Sequence, residues 1–156
     1  MRAILQRVKS GGVKAEGKNE KISEGFVILL GVACDDSKAD ADYLAEKISS
    51  LRIFSDANDK FNYSVIDIKG EALVISQFTL FADTLKGRRP DFTKAARPGK
   101  AVPLYEYFCS RLEAAGVPVK TGVFGASMQV EIHNNGPVTI FIDSRQKIQP
   151  SAEKEN

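Results

Sequence analysis

Apolar and polar positions along the chain divide it into strands, two helices and the loops between them. Met1 to Val8 has strand character and Val13 to Glu16 alternates apolar with polar, with Gly11-Gly12 marking a bend or bulge between the two. Gly17 to Glu20 reads as a polar hairpin turn, and the wholly apolar run from Phe26 to Val32 predicts a strand covered on both faces. Asp35-Asp36-Ser37 offers an N-cap for a helix from Lys38 to Leu51, in which Ala41, Leu44, Ile48 and Leu51 share one face. The opposite face carries Lys38, Asp42, Glu46 and Ser49 and is solvated. A second helix has Pro103 in its first turn, a buried stripe of Leu104, Phe108 and Leu112, and Gly116 at its end. Strands are predicted at Val117 to Val123, Ser127 to His133 and Val138 to Ile142, and the polar segment Ser144 to Asn156 predicts a disordered tail behind a domain of residues 1–143.

The run Leu73-Val74-Ile75-Ser76-Gln77-Phe78-Thr79-Leu80-Phe81 is too short and too rich in β-branched and aromatic residues for a good helix, and predicts a central strand. Three polar side chains interrupt it. Burying Ser76, Gln77 and Thr79 without partners would cost about 1–3 kcal/mol each, so each needs an internal hydrogen bond or an opening onto water or a ligand. Asn134-Asn135-Gly136-Pro137 concentrates turn formers between two strand-like segments and by itself reads as a connector.

Composition narrows the classes. A domain of 156 residues buries about 70% of its unfolded surface, enough for a core without disulfides or metals. Cys34 and Cys109 belong to no metal or redox spacing, which fits a reduced compartment. No run of about 18 apolar residues and no signal-peptide pattern occurs, so a soluble cytoplasmic protein is expected. Asp56-Ala57-Asn58-Asp59 lacks the glycine and glutamate of a calcium loop and predicts an ordinary turn. The net charge of +2 excludes a polyelectrolyte-like binder, yet residues 82–100 hold Lys86, Arg88, Arg89, Lys94, Arg97 and Lys100 against Asp83 and Asp91. That basic stretch is either a solvated surface or a phosphate-contacting loop, and it begins where the central strand ends.

A serine-histidine hydrolase would need His133, the single histidine, beside Ser76 or Thr79, but no Gly-x-Ser-x-Gly elbow is present. One histidine and two scattered cysteines do not make a usual zinc site, and no cofactor motif occurs.

Ser76-Gln77-Phe78-Thr79 after an apolar run, and Asn134-x-Gly136-Pro137-Val138-Thr139 near the C-terminus, resemble the two signatures of the D-aminoacyl-tRNA deacylase family. Gln6-Arg7-Val8, Arg52-Ile53-Phe54-Ser55-Asp56, Gly87-Arg88-Arg89-Pro90 and Thr121-Gly122 match in the same order, so the resemblance runs from Met1 to about Asp143. Ser10-Gly11-Gly12 departs from the bulkier residues expected there. The resemblance implies a three-layer β/β/α domain with two amphipathic helices on a sheet, working as a homodimer on the aminoacylated 3′ end of tRNA, without metal or cofactor.

It implies catalytic roles for Ser76, Gln77, Phe78 and Thr79, with backbone amides near Phe78 and Thr79 meeting the oxyanion. Water would be activated by the substrate's 2′-hydroxyl, or Thr79 would act as nucleophile. It implies a cis Gly136-Pro137 bond whose carbonyls, offered to the other subunit's pocket, hold the substrate amino group and exclude L side chains while D residues and glycine pass. Arg7 would hold that segment and Met128 line the pocket, although arginine in a strand ordinarily pairs with a carboxylate and methionine ordinarily fills a core. Lys86, Arg88 and Arg89 would meet tRNA phosphates. Two other readings remain: a nucleic-acid-binding module that uses only the basic loop, and a proofreading domain for L-mischarged tRNA, which would need a pocket open to L side chains.

Overall fold

The computed structural model describes residues 1–146. In chain order its elements are β1 (Arg2–Ala15), β2 (Lys18–Ile22), β3 (Gly25–Gly31), α1 (Lys38–Ser50), β4 (Phe54–Ser55), β5 (Phe61–Tyr63), β6 (Glu71–Ser76), α2 (Pro98–Ala114), β7 (Val119–Thr121) and β8 (Gln129–Asp143). Two short 3-10 turns, Phe78–Phe81 and Ser144–Gln146, complete it. A six-stranded sheet runs β2-β1-β3-β6-β7 with β8 on the other side of β1, and β4 and β5 form a separate hairpin.

Alternation along the central strands explains the layers. Phe26, Ile28 and Leu30 of β3 and Ala72 and Val74 of β6 face α1 and α2, where Leu44, Ile48, Leu104, Phe108 and Leu112 complete one core. Val27 of β3 and Leu73 and Ile75 of β6 point the other way, into a second core with Val13, Ile22 and, partly buried, Val130 and Ile132. The second half of β1, with β2 and the start of β8, therefore lies over the open face of β3 and β6. Helices, central strands and the strands folded over them make the expected β/β/α arrangement. The Tyr105 hydroxyl donates to the Val74 carbonyl at 2.6 Å and ties α2 to the sheet. Burial pushes the neighbouring Cys109 thiol up to about 12, so it is a core residue and not a nucleophile.

Several expectations change. The hairpin turn is Glu16-Gly17, with Lys18 to Glu20 already paired in β2, and Ser49, expected on the solvated face of α1, is buried with its hydroxyl donating to the Glu46 carbonyl. Gly11-Gly12 lies within β1, and the irregularity expected there falls just before it, where the register with β8 shifts between Val8 and Ser10; the strand also exchanges partners, pairing β3 up to Val8 and β2 from Gly11. The second helix starts five residues before Pro103, with Pro98 in its first turn and Pro103 inside it. Ser127 to His133 and Val138 to Ile142 are not two strands but parts of the single β8, and Asn134 to Pro137 does not reverse the chain. The central strand stops at Ser76, and Phe78 to Phe81 turn into a 3-10 coil. The turn at Asp56 is an ordinary one, its carboxylate accepting from the Asn58 and Lys60 amides. Of the expected tail, Ser144 is buried in the 3-10 turn Ser144–Gln146, and residues 147–156 lie outside the described residues.

A polar cluster closes the bottom of the sheet. The Met1 amine donates to Asp36 at 2.7 Å and to Ser144 at 2.6 Å, and Ser144 donates to Asp40 at 2.8 Å. Burial raises the Asp40 carboxyl, but hydrogen bonds from the Ser37 amide and the Ser144 hydroxyl, with the nearby amine, outweigh it and hold the group at about 2. A depressed carboxyl stabilises the fold above its unfolded value and loses that contribution as pH falls through its folded value. Urea unfolding of wild type and Asp40→Asn is therefore expected to differ by about 1 kcal/mol at pH 6, after allowance for solvent screening, and to converge near pH 2.

Candidate active site

The 3-10 turn sits where β6 leaves its partner. Parallel pairing of β3 with β6 ends at Leu30 opposite Ser76, and the Gln77 amide makes the last bond, to the Leu30 carbonyl at 2.8 Å. The chain then folds over the end of β3. Gly31 permits this: a Cβ there would stand 3.0 Å from the Gln77 carbonyl oxygen and 3.1 Å from both Leu80 and Phe81. The first amides of a helical turn have no carbonyl behind them to bond, so those of Phe78 and Thr79 are available to a ligand.

Beside the turn lies a mainly apolar cavity of about 560 Å³, bounded by Ser76, Gln77, Phe78 and Met128 together with Phe92, Arg97 and Phe124. Ser76 and Gln77 are half-buried and Thr79 is exposed, its hydroxyl accepting a hydrogen bond from the Gln77 side-chain amide. The polar residues of the central run thus satisfy the requirement stated above by sitting at an opening. Phe78 is 55% exposed and meets Phe92 edge-on, with ring centroids 5.1 Å apart. No aspartate, glutamate or histidine is among the lining residues, and the charged one is Arg97. His133 is exposed on β8 and does not line the cavity, so no serine-histidine pair forms there. Among the described residues no group of three or more His, Cys, Asp or Glu side chains is arranged to hold a metal.

Gly136 and Pro137 stand elsewhere. Gln6 pairs with Thr139 and Val8 with Asn134, so residues 135–138 all bulge out of β8 opposite the single residue Arg7. The bulge is closed by the Asn134 side chain, which accepts from the Val138 amide at 2.8 Å, and the Gly136-Pro137 peptide is cis. Arg7, 7% exposed, donates to the Asn135 carbonyl at 2.8 Å and to the Ile53 carbonyl at 2.7 Å, and lies 5.4 Å from the Phe61 ring centroid. It pairs with backbone instead of with a carboxylate, and so pins the segment. Gly136 and Pro137 are exposed and do not line the cavity of their own chain. The residues proposed for chemistry and those proposed for selection are therefore in two groups, with Met128 in the first and Arg7 in the second.

Lys86, Arg88 and Arg89 occupy an exposed excursion closed by reciprocal backbone bonds between Asp83 and Asp91, at 2.8 and 2.9 Å. Hydrogen bonds, chiefly from the Leu85 amide to Asp83 and from the Thr93 hydroxyl to Asp91, hold both carboxyls below the usual range. Lys94 pairs with Asp83, and among the described residues no carboxylate is bridged to Lys86, Arg88 or Arg89. The far end of the loop is clamped to the end of β3, the Cys34 amide donating to the Lys94 carbonyl at 3.0 Å and the Ala96 amide to the Val32 carbonyl at 2.9 Å. This clamp makes Phe92 and Arg97 part of the cavity wall. Along the chain Arg97 reads only as part of a basic run, and Phe92 and Phe124 carry no signal, because nothing local says which end of a long loop returns to the sheet.

Fold and site together define a small single α/β domain, two helices packed on a sheet, with a mainly apolar cavity beside the Phe78–Phe81 turn. The family profile of D-Tyr-tRNA(Tyr) deacylase matches residues 4–143. A D-aminoacyl-tRNA deacylase of Chloroflexus aurantiacus is 56% identical over 145 residues, 92% of this chain and 91% of that protein. Another, of Koribacter versatilis, is 51% identical over 148 residues, covering 94% of this chain and 99% of the other. A solved structure described as a c-Myc DNA unwinding element binding protein superposes with a TM-score of 0.85 at 39% identity, covering 92% of this chain and 98% of its own. The chain belongs to the D-Tyr-tRNA(Tyr) deacylase family. It is a hydrolase of the ester bond in aminoacyl-tRNA.

Proposed function

We propose that the chain removes D-amino acids, and glycine mischarged on tRNA(Ala), from tRNA in the cytoplasm, and that it rejects L-amino acids by exclusion. The observation that carries this reading is the separation of the mainly apolar cavity beside the Phe78–Phe81 turn from an exposed, pinned Gly136-Pro137 segment that does not line that cavity. Such a segment is suited to enter the cavity of a second copy, so the working unit is a homodimer with each site shared between subunits.

In each site the ester carbonyl lies against the Phe78 and Thr79 amides, and the terminal adenosine occupies the apolar cavity. Water adds to the carbonyl carbon, the oxyanion is held by the amides, and the bond to the 3′ oxygen breaks as that oxygen takes a proton. Free amino acid and tRNA with its 3′-hydroxyl restored leave. One well-aimed amide contributes about 10²–10³ in rate. Among the described residues no carboxylate or imidazole lines the cavity, which favours the 2′-hydroxyl of the substrate over a protein group in guiding the water. The carbonyls of the partner's Gly-Pro segment hold the α-amino group. With amino group and ester both fixed, an L side chain is driven into that backbone, a D side chain points outward and glycine has nothing to exclude.

Lys86, Arg88 and Arg89, bridged to no carboxylate among the described residues, suit the phosphates of the acceptor end. Replacing all three by alanine is expected to raise KM for charged tRNA, to leave kcat within about twofold, and to lower the slope of log KM against log salt by about two to three. A binding module without catalysis would use the same loop but would have no use for the amide turn or the Gly-Pro segment. The reading is tested by amino-acid release from tRNA charged with D-tyrosine, L-tyrosine or glycine. Release of D-tyrosine and glycine with L-tyrosine retained is expected, whereas tRNA binding with no release from any of the three would leave only the binding module.

A further inference from the structure

We propose that Arg2 is a positioning residue for hydrolysis, its guanidinium fixing the Phe78–Phe81 turn from behind so that the Phe78 and Thr79 amides stay aimed at the ester; this rests on the reading of that turn as the oxyanion site.

The turn has little to hold it. A 3-10 coil of four residues is weak by itself, and it closes with two internal bonds, from the Leu80 amide to the Gln77 carbonyl at 3.3 Å and from the Ala82 amide to the Thr79 carbonyl at 3.1 Å. Phe78 is largely exposed, so the ring that anchors the turn is Phe81, 2% exposed. The Arg2 side chain meets the turn at that ring and at its free carbonyl end. Nη1 donates to the Leu80 carbonyl at 2.9 Å, and the guanidinium carbon stands 4.6 Å from the Phe81 ring centroid. Nε donates to the Asp143 carboxylate at 3.0 Å, which fixes the plane of the fork. Arg2 also lies opposite Gly31 in the β1–β3 register, so the backbone on which the turn rests and the side chain that clasps it are neighbours. Phe81, Leu80 and Gln77 are thereby confined between the close approach at Gly31 and the guanidinium.

A lysine at position 2 has no planar fork to satisfy Asp143 and the Leu80 carbonyl together while stacking on Phe81. Arg145 provides the contrast. Its guanidinium also faces Phe81, 6.0 Å from the centroid, but its ion pair is with Asp35 and it makes no bond to the turn's carbonyls.

Arg2→Met, Arg2→Lys and Arg145→Met should be compared with wild type for steady-state hydrolysis of D-tyrosyl-tRNA and for Tm. Displacing a reacting geometry by an ångström costs about a hundredfold, so kcat of Arg2→Met is expected to fall about ten- to a hundredfold, with KM within about threefold. Arg2→Lys is expected to keep a Tm near wild type and recover only part of the rate, and Arg145→Met to stay within about twofold of wild type. Should Arg2→Met fail to fold, Arg2→Lys decides by the same split of kcat from KM. A kcat of the folded Arg2 variants within about twofold of wild type, or losses that Arg145→Met reproduces, would overturn the role of Arg2 alone. Wild-type protein that releases no D-tyrosine would instead remove the reading of the site itself, and this role with it.

Discussion

Gly136→Ala is expected to collapse the preference for D-tyrosyl- over L-tyrosyl-tRNA from more than about a hundredfold to within about tenfold, and to slow D-tyrosine release as well. Gly136 has φ of +147°, a backbone region that L side chains rarely adopt. A Cβ at that position would also stand 2.7 Å from a Val138 methyl, 2.9 Å from the Val138 nitrogen and 3.3 Å from Arg7. The Val138 amide is bonded to Asn134 and Arg7 is held by two carbonyls, so neither the Val138 nitrogen nor the guanidinium can withdraw without opening the bulge. The segment must move, and selection by exclusion depends on where its carbonyls and backbone stand. Paired release rates on the two substrates check this. An unchanged ratio in a folded variant would mean that chirality is read elsewhere.

The second large effect belongs to the substrate. D-tyrosyl-tRNA ending in 2′-deoxyadenosine is expected to be hydrolysed about 10²–10³ more slowly than the ribose form, while Thr79→Val stays within about tenfold of wild type. The Thr79 hydroxyl already accepts a bond from Gln77, and among the described residues no carboxylate or imidazole lines the cavity to remove its proton. Single-turnover release from both substrates by both proteins separates the possibilities. A large loss in Thr79→Val, with the deoxy substrate hydrolysed normally, would make Thr79 the nucleophile.

Much of this molecule is legible in its residues. The alternation in β3 and β6, with its two opposite apolar faces, and the stripes of α1 and α2 state the layered α/β arrangement, because period and burial are local properties. The end of β6 was not legible. Phe78, Leu80 and Phe81 continue an apolar rhythm that a strand and a 3-10 turn share, and what ends the strand is the Leu30–Ser76 limit of a partner 46 residues away. Pro103 suggested a helix start because proline favours a first turn, yet Pro98 holds that place and the helix accommodates the second proline with the loss of one bond.

Asn134 to Pro137 is the instructive case for the site. Its composition is that of a turn and predicts two separate strands. Both flanks instead pair with β1, so the same residues form a bulge that keeps the strand direction and projects Gly136 and Pro137 outward. Composition cannot tell a reversal from a projection when the strand that decides lies at the other end of the chain. The resemblance supplied the signature residues, and the fold distributes them into two groups that no spacing along the chain reveals.

The most direct test of a site divided between two copies is complementation. Ala126→Trp fills the cavity, and Gly136→Ala spoils the bulge. Mixed after unfolding and refolded together, they should form heterodimers in which an open cavity of one subunit meets an intact Gly-Pro segment of the other. Selective D-tyrosine release should then return to about a quarter of the wild-type rate, from the half of dimers that are mixed and the one sound site in each. A mixture that gives only the sum of the two parent proteins would contradict the shared site and return selection to within a single chain.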